Sequence, residues 1–144
     1  MATGFQVVFD CIDPDALARF WASALAYELQ PPPPGFDSWE QWLAEEGIPE
    51  EERNSASAVV DPAGTGPRIF FQRVPEPKTV KNRVHLDLNV SSGRGAPLAE
   101  RKRQVNAEVE RLESFGARPL YSKEERGEYH VTMADPEGNE FCVQ

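Results

Sequence analysis

The chain has 144 residues, a size that suits one domain with a substantial hydrophobic core. Its composition is ordinary for a soluble globular protein, with 40% hydrophobic and 27% charged residues. The formal net charge of −9 argues against nucleic acid and against an anionic membrane surface, because both partners require a basic face.

The sequence also predicts the cellular compartment of the protein. No apolar run approaches the length of a membrane span, and the first residues lack the pattern of a signal peptide. Two cysteines, Cys11 and Cys142, do not make a disulfide framework. We therefore expect a cytoplasmic protein with both thiols reduced.

The chain opens with a predicted strand and a predicted helix. Phe5–Ile12 is rich in the β-branched and aromatic residues that favour strands. A helix is predicted over Pro14–Leu25, with Asp13 as the N-cap and proline at the first helical position. Its apolar residues recur at helical spacing and define a buried stripe: Leu17, Phe20, Trp21, Ala24 and Leu25.

An insertion over residues 31–55 follows a candidate short strand, Tyr27–Gln30. It begins with four prolines, and residues 37–40 (Asp-Ser-Trp-Glu) predict a capping box for a short helix that ends near Gly47. An apolar face is predicted from Phe36, Trp39, Trp42 and Leu43. These aromatics either form a wall over a ligand cavity or pack against the sheet or a second subunit, and the sequence leaves both alternatives open.

The motif Asp-Pro-x-Gly occurs twice, at residues 61–64 and 135–138, each time between two strand-like runs. A strand-like run, Val84–Val90, and a helical one, Leu98–Phe115, precede the second motif, as the first strand and helix precede the first one. The repeat predicts an internally duplicated domain, with modules over about residues 1–75 and 82–144. The strand-like runs around the motifs are Ala56–Val60, Arg68–Val74, Tyr129–Ala134 and Glu140–Val143.

Side chains alternate between the two faces of a strand, which predicts the faces of both modules. The helices should cover Phe5, Val7 and Phe9 in the first module and Val84, Leu86 and Leu88 in the second. The opposite faces then carry the polar candidates and an aromatic one: Gln6, Asp10, Phe70 and Gln72, then His85, Asp87, Glu140 and Cys142.

Three local signatures resemble the vicinal-oxygen-chelate superfamily, which includes the glyoxalase and bleomycin-resistance-like proteins. They are Asp13-Pro14 leading to Phe20-Trp21, residues 82–87 (Asn-Arg-Val-His-Leu-Asp) and residues 135–141 (Asp-Pro-Glu-Gly-Asn-Glu-Phe). The resemblance is closest to the small glyoxalase-like branch and covers the chain apart from the insertion. It implies an α+β fold of two βαβββ modules, whose curved mixed sheets form a shared cleft, and a homodimer.

The resemblance also implies where a divalent metal would bind, at Gln6, Phe70, His85 and Cys142. Phenylalanine cannot ligate, and no carboxylate stands at these positions, although hard cations prefer oxygen donors. We therefore predict that no metal or other cofactor is bound. If a metal does bind, Gln6, His85 and Cys142 are its ligands. Gln72 replaces Phe70 only if the strand slips by two residues.

The sequence leads to two alternative functions, one of a binding protein and one of an enzyme. The first is binding of a small organic molecule in the cleft between the modules, lined by Gln6, Asp10, Phe70, Gln72 and Cys142, with Trp39 and Trp42 from the insertion. The acidic protein would attract cationic ligands. The alternative is an enzyme, a lyase, isomerase or dioxygenase-like member, with an unusual metal site or with His85 and Asp87 as acid–base groups. Each residue also has a structural reading: His85 as a hydrogen-bonded strand histidine, Asp10 and Asp87 as partners of turns or of Arg68.

Overall fold

Both halves of the chain form a four-stranded mixed sheet with the same strand pattern. The computed structural model describes residues 1–144. They form two units, Met1–Pro77 and Lys78–Gln144, and the boundary lies between the two predicted modules. In each sheet the first strand of the unit pairs in parallel with the last one, and all other pairs are antiparallel. The predicted α+β fold with two mixed sheets is confirmed, and both sheets are open. None of the helices has the length and apolar character needed to cross a membrane.

The sheet of the first unit has the order β1-β4-β3-β2. These strands are β1 (Val7–Cys11), β2 (Glu28–Leu29), β3 (Ala56–Val60) and β4 (Ile69–Arg73). Helix α1 (Pro14–Leu25) packs on β3 and β4. The predicted bounds of the helix are therefore confirmed, and the strands are slightly shorter than predicted at both ends of β1 and β4.

Helix α1 forms where the sequence predicts it because its start and its buried stripe are both local signals. The side chain of Asp13 accepts a hydrogen bond from the backbone N–H of Ala16, as an N-cap does. Leu17 and Trp21 are almost fully buried. The ring of Phe9 stacks on that of Phe71 and lies 5.3 Å from that of Trp21, measured between centroids. These contacts form the core of the first unit.

The insertion contains helix α2 (Trp39–Glu45) and a 3₁₀ turn at Glu50–Glu52. Ser38 is the N-cap of α2, since its hydroxyl accepts from the N–H of Gln41. The side chain of Gln41 in turn accepts from the backbone N–H of Asp37. Gln41, three residues after the N-cap, therefore takes the position that the predicted capping box gave to Glu40, and its side chain bonds the amide of the residue before the N-cap.

The second unit repeats the arrangement with the order β5-β8-β7-β6. Its elements are β5 (Asp87–Leu88), α3 (Leu98–Glu113), β6 (Arg118–Glu125), β7 (Glu128–Ala134) and β8 (Glu140–Val143). Helix α3 packs on β6, β7 and β8 and buries Val105, Val109 and Leu112. The chain then turns at Gly116, whose φ of 104° only glycine adopts without strain. Phe115, the last residue of the predicted helix, is half exposed, because the helix has already ended.

The first strand of each sheet is shorter than its alternating pattern predicts. Only Asp87–Leu88 of the predicted strand Val84–Val90 pairs in the sheet. Asp87 lies opposite Cys142, and β8 begins at Glu140, so Val84 would lie opposite the preceding turn. Val84 is 81% exposed and Phe5 74% exposed, so the prediction that helices cover these two residues is wrong.

Strand β6 fills the place that the implied βαβββ topology leaves between α3 and β7, where no run of residues was predicted as a strand. All eight of its residues are exposed, and its sequence, Arg-Pro-Leu-Tyr-Ser-Lys-Glu-Glu, has no apolar alternation. It is a strand because it pairs along its whole length with β7, with one irregularity between Pro119 and Tyr121. An edge strand of this kind takes its conformation from its neighbour, and periodicity could not reveal it.

The two Asp-Pro-x-Gly motifs form turns that their aspartates hold. Asp61 accepts hydrogen bonds from the N–H groups of Ala63, Thr65 and Gly66 and from the Thr65 hydroxyl. Asp135, which is 1% exposed, accepts from the N–H groups of Glu137 and Asn139 and from the Asn139 side chain. Both motifs place a carboxylate where it satisfies several turn amides at once.

Candidate functional site

A groove of about 1050 Å³ lies in the first unit, lined by the insertion and by the strands β3 and β4. We call it the aromatic groove. The insertion contributes Trp39 and Trp42, and β4 contributes Phe70. Across the ladder from Phe70 stands Ala58, whose small side chain leaves room above the sheet. Further lining residues are Leu29, Gln30, Leu43, Ile48, Ala56 and Arg68.

The wall of the aromatic groove is fixed by ring packing and by one hydrogen bond. The rings of Trp39 and Trp42 meet edge to face, with centroids 5.6 Å apart. The indole Nε1–H of Trp39 donates to the backbone carbonyl oxygen of Gln30 at 2.7 Å. Trp39 keeps 38% of its surface exposed, so the wall is ordered and still accessible. Of the two alternatives for the insertion, a wall over a cavity is the one that this placement favours.

Arg68 lies at the floor of the aromatic groove and is held by neutral groups. Its Nε donates to Oε1 of Gln30 at 2.6 Å, and its Nη1 donates to Oε1 of Gln6 at 2.9 Å. Its guanidinium carbon stands 5.2 Å from the centroid of the Phe70 ring. No carboxylate forms an ion pair with Arg68. Gln6 and Phe70, two predicted site residues, are therefore brought together by a residue that was not among the site residues predicted.

Asp10 and Gln72, two other predicted site residues, contact one another. They are register partners in β1 and β4, and Nε2 of Gln72 donates to Oδ1 of Asp10 at 2.7 Å. Asp10 is therefore paired with Gln72. The structural reading in which Asp10 pairs with Arg68 is wrong. Neither residue lines the aromatic groove.

The second unit brings His85, Asp87 and Cys142 together. Nε2 of His85 lies 3.2 Å from Oδ1 of Asp87, and both side chains are about half exposed. Asp87 is the register partner of Cys142 in the ladder between β5 and β8. One potential ligand atom from each of the three residues lies within 4.8 Å of the other two. Asp87 was predicted as an acid–base group, and the structure adds it to the two metal-ligand candidates of this unit.

The thiol of Cys142 is held in its protonated form. Its partial burial raises the pKa of the thiol, and the negative charge of Asp87 raises it further. The hydroxyl of Thr132, with Oγ1 3.4 Å from the sulfur, opposes both effects. Cys142 is thus a poor nucleophile by itself, because the thiolate is the reactive form.

Glu140 was predicted on the same face as Cys142, but its carboxylate is engaged with the start of the second unit. It pairs with the Lys78 ammonium at 3.0 Å from Oε2 to Nζ, and Oε2 also accepts from the N–H of Asn82 at 3.0 Å. Burial alone would raise the pKa of Glu140, but these two donors outweigh it and lower the pKa to about 2. Glu140 therefore has a structural role in this unit.

Sequence reasoning missed Arg68 and Gln30 as members of the site. Arg68 stands two residues before Phe70, so strand parity could have placed both side chains on one face. Gln30 has no such signal, because it comes before the four prolines and its contact with Arg68 spans 38 residues.

The four positions at which the resemblance implies a metal do not fit a hard divalent cation. Phe70 offers no donor atom and is stacked under Arg68, while the carboxamide of Gln6 is occupied by the same arginine. The imidazole, thiol and carboxylate of the second unit are instead the donor types that zinc accepts. The donor chemistry thus departs from that of a manganese or magnesium site.

Comparison with known proteins bears on the fold. The chain resembles a solved glyoxalase/bleomycin resistance/dioxygenase family enzyme from Burkholderia phytofirmans PsJN, with 16% identity, a TM-score of 0.61, and coverage of 96% of this chain and 94% of that one. It also resembles hypothetical protein SA1046 from S. aureus, with 14% identity, a TM-score of 0.59 and coverage of 99% and 96%.

A third similar structure contains ligands. It is a mutant of FosX, the genomically encoded fosfomycin resistance protein from Listeria monocytogenes, complexed with Mn(II) and 1S,2S-dihydroxypropylphosphonic acid. The identity is 11%, the TM-score 0.63 and the coverage 100% of this chain and 90% of that one. Identities this low show that the folds are alike. They are not evidence of a shared activity.

Sequence comparison supplies the family. No curated protein matches the chain. Residues 6–144 match the glyoxalase-like domain family, which is nearly the whole length of the chain. With its two mixed four-stranded sheets and its structural neighbours, the chain therefore belongs to the glyoxalase-like domain family of the vicinal-oxygen-chelate superfamily.

Proposed function

We propose that this protein binds a small organic molecule, and that the aromatic groove provides the main binding surface. The observation that carries the proposal is the common placement of Trp39, Trp42 and Phe70 along one open groove. At about 1050 Å³ the groove is large enough for a compact organic ligand, since ligand pockets span about 300–1,000 Å³. Apolar walls with a few fixed polar groups are the usual composition of such sites.

The proposed binding requires no metal. The first unit holds its polar groups, Gln6, Gln30 and Arg68, by hydrogen bonds among themselves, and no metal ligand is needed to order them. Our prediction that the protein functions without a metal remains part of this proposal. So do the predicted cleft between the modules and the homodimer that the resemblance implies.

Tryptophan fluorescence tests the proposal with an internal reference. Trp39 and Trp42 line the aromatic groove, whereas Trp21 is 1% exposed in the core of the first unit. We expect compounds with a flat apolar body, such as naphthalene derivatives, to quench or shift the emission of the protein. The variant with Trp39→Phe and Trp42→Phe should lose that response while Trp21 still reports an intact fold. A response that persists in this double variant would contradict binding in the groove.

A second candidate function is catalysis in the second unit, as a lyase or isomerase. The observation that favours it is the contact of 3.2 Å between His85 and Asp87 beside Cys142. A histidine oriented by a carboxylate can accept and return a proton of a bound substrate. Each compound that binds would be incubated with the protein in D₂O and followed by NMR.

Deuterium exchange or conversion that is lost in both His85→Ala and Asp87→Asn would support catalysis. His85 is about half exposed, so His85→Ala should leave the melting temperature nearly unchanged. A clear loss of thermal stability with unchanged binding and turnover would assign His85 a structural role only.

A further inference from the structure

We infer that the ligand of the aromatic groove is a flat organic anion whose carboxylate binds Arg68. The inference rests on the proposed binding function and names the ligand class for the same groove. It differs from the expectation that an acidic protein attracts cations, because the two half-buried charges of the groove lining, Arg53 and Arg68, are both positive.

The first argument is that Arg68 has no counter-charge. Its two side-chain partners, Gln6 and Gln30, are neutral carboxamides, and none of the acidic residues forms an ion pair with it. The residue is half buried at the floor of the groove. A half-buried guanidinium without an anionic partner has lost part of its hydration and gained no ion pair. A carboxylate would supply that ion pair.

The second argument is geometric. Nε and Nη1 of Arg68 each donate to a glutamine oxygen, while Nη2 donates to no group in the protein. The two glutamines therefore fix the plane of the guanidinium and leave its Nη2 edge for a ligand. An arginine oriented in advance loses less side-chain entropy when it binds a carboxylate.

The third argument concerns the other charges of the aromatic groove. Asp15 is already paired with Arg19 at 2.9 Å, and Arg53, which donates to the carbonyl of Ile48, forms no ion pair. The remaining acids of the lining, Glu40, Glu50 and Glu52, are all exposed. Water and salt screen exposed charges more strongly than a half-buried one. Arg53 and Arg68 are therefore the least screened charges of the groove lining.

The shape of the groove selects a flat molecule. Arg68 stacks over Phe70, and the indole N–H of Trp39 is bound to the carbonyl of Gln30, whose side chain holds Arg68. One connected cluster thus places aromatic faces beside the free cation. A planar apolar body contacts the rings while its carboxylate reaches the guanidinium.

The test uses three probes that share a naphthalene body and carry a substituent of different charge: naphthalene-1-carboxylate, naphthalene-1-carboxamide and 1-naphthylmethylammonium. Binding to the full chain is measured by isothermal titration calorimetry. We expect the carboxylate to bind about tenfold more tightly than the carboxamide, with the ammonium weakest, because a hydrogen bond between charged groups is the stronger one. Added salt should weaken only the carboxylate appreciably.

Two variants locate the effect. In Arg68→Gln, the carboxylate should bind within about twofold of the carboxamide, because the charge that separates the two probes has been removed. Arg19→Gln is the matched control, because Arg19 also lines the groove but is already paired with Asp15. It should preserve the preference. Thermal melting of both variants verifies that they fold.

Each contrary outcome has a distinct meaning. If the carboxamide or the ammonium binds as tightly as the carboxylate, the anion inference fails and the proposed binding function stands. If the preference survives in Arg68→Gln, the assignment to Arg68 is wrong. If none of the three probes binds the wild type, both the inference and the proposed function fail.

Discussion

The two units of this protein share one arrangement of strands and differ in the side chains of their candidate sites. Both build a mixed four-stranded sheet of the same order, with an Asp-Pro-x-Gly motif between two antiparallel strands. Val8 pairs with Phe70 in the first unit where Asp87 pairs with Cys142 in the second. The first unit carries an aromatic groove and the second a polar cluster at His85, Asp87 and Cys142.

The difference shows that folding constrains the two faces of strands β4 and β8 to different degrees. Ile69 and Phe71 on β4, and their counterparts Phe141 and Val143 on β8, are all at most 2% exposed. They stay apolar because burying them stabilises each unit. The intervening positions, 70 and 142, face away from that core and differ completely in chemistry. On these two strands the helix-covered positions stay apolar, whereas positions 70 and 142 on the opposite face can change.

The largest expected effect comes from removing a core ring. Phe71→Ala should lower the free energy of unfolding by about 3–5 kcal/mol, because it leaves a cavity between Phe9 and the sheet. Phe70→Ala is the matched control one residue earlier. It should cost clearly less stability and instead weaken naphthalene binding. Urea denaturation measures both, and equal losses for the two variants would contradict the division into a structural and a displaying face.

The two turn aspartates provide the next comparison. Asp135→Ala should destabilise the protein by about 2–4 kcal/mol, because it leaves the amides of Glu137 and Asn139 without their buried acceptor. Asp61→Ala should cost less, since two of the three amides that it holds, those of Ala63 and Thr65, are exposed and water replaces the carboxylate there. Thermal melting of the two variants side by side gives the order. A larger loss for Asp61→Ala would mean that burial is not what distinguishes the turns.

Acid should weaken the contact that Glu140 makes with Lys78 and Asn82. The pKa of Glu140 is about 2 in the folded chain, against 4.5 ordinarily, so the folded state holds the charged form more firmly than the unfolded one. This contribution is complete above the unfolded pKa and is lost as the pH falls toward the folded one.

The size of that loss follows from a comparison with the neutral variant. Wild type should exceed Glu140→Gln in unfolding free energy by about 1–2 kcal/mol near neutral pH, and the gap should narrow as the pH falls below about 4. Urea denaturation at several pH values gives the gap directly. A gap that is independent of pH would show that the carboxylate charge does not matter.

The smallest effect is expected from metal ions. We predict that the purified protein retains no stoichiometric divalent metal after dialysis against a chelator, as elemental analysis would measure. Replacing Phe70 and Cys142 by glutamate should create divalent-metal binding if the four positions implied by the resemblance share one centre. The single variant Cys142→Glu is the control. One metal retained per wild-type chain would overturn the prediction, and zinc lost in Cys142→Ala would place it at the polar cluster.

Most of the scaffold could be predicted because its signals are local. Asp13 before Pro14 marked the start of α1, and the motif at residues 135–138 marked the turn before β8. A cap or a turn is decided by residues within a few positions of one another. The helical stripe likewise needs only the spacing along one helix.

The site could be predicted only in part. Parity placed His85, Asp87 and Cys142 on one face, and the structure brings these three together. Parity also placed Asp10 and Gln72 on one face, and it could not predict that they bond to each other. The two-residue period of a strand predicts the face on which a side chain lies. It does not predict the group to which the polar atoms of that side chain hydrogen-bond.

By itself, the sequence determined the duplicated scaffold, the limits of α1 and the turns of this protein, since these depend on neighbouring residues and on repeated spacing. Tertiary structure alone decided the two-residue length of β5, the position and length of β6 and the partners of Arg68. Each of these depends on groups far apart in the chain: β5 on where β8 begins, β6 on pairing with β7, and Arg68 on Gln6 and Gln30. Long-range pairing, and not local propensity, therefore shaped the groove where binding is proposed.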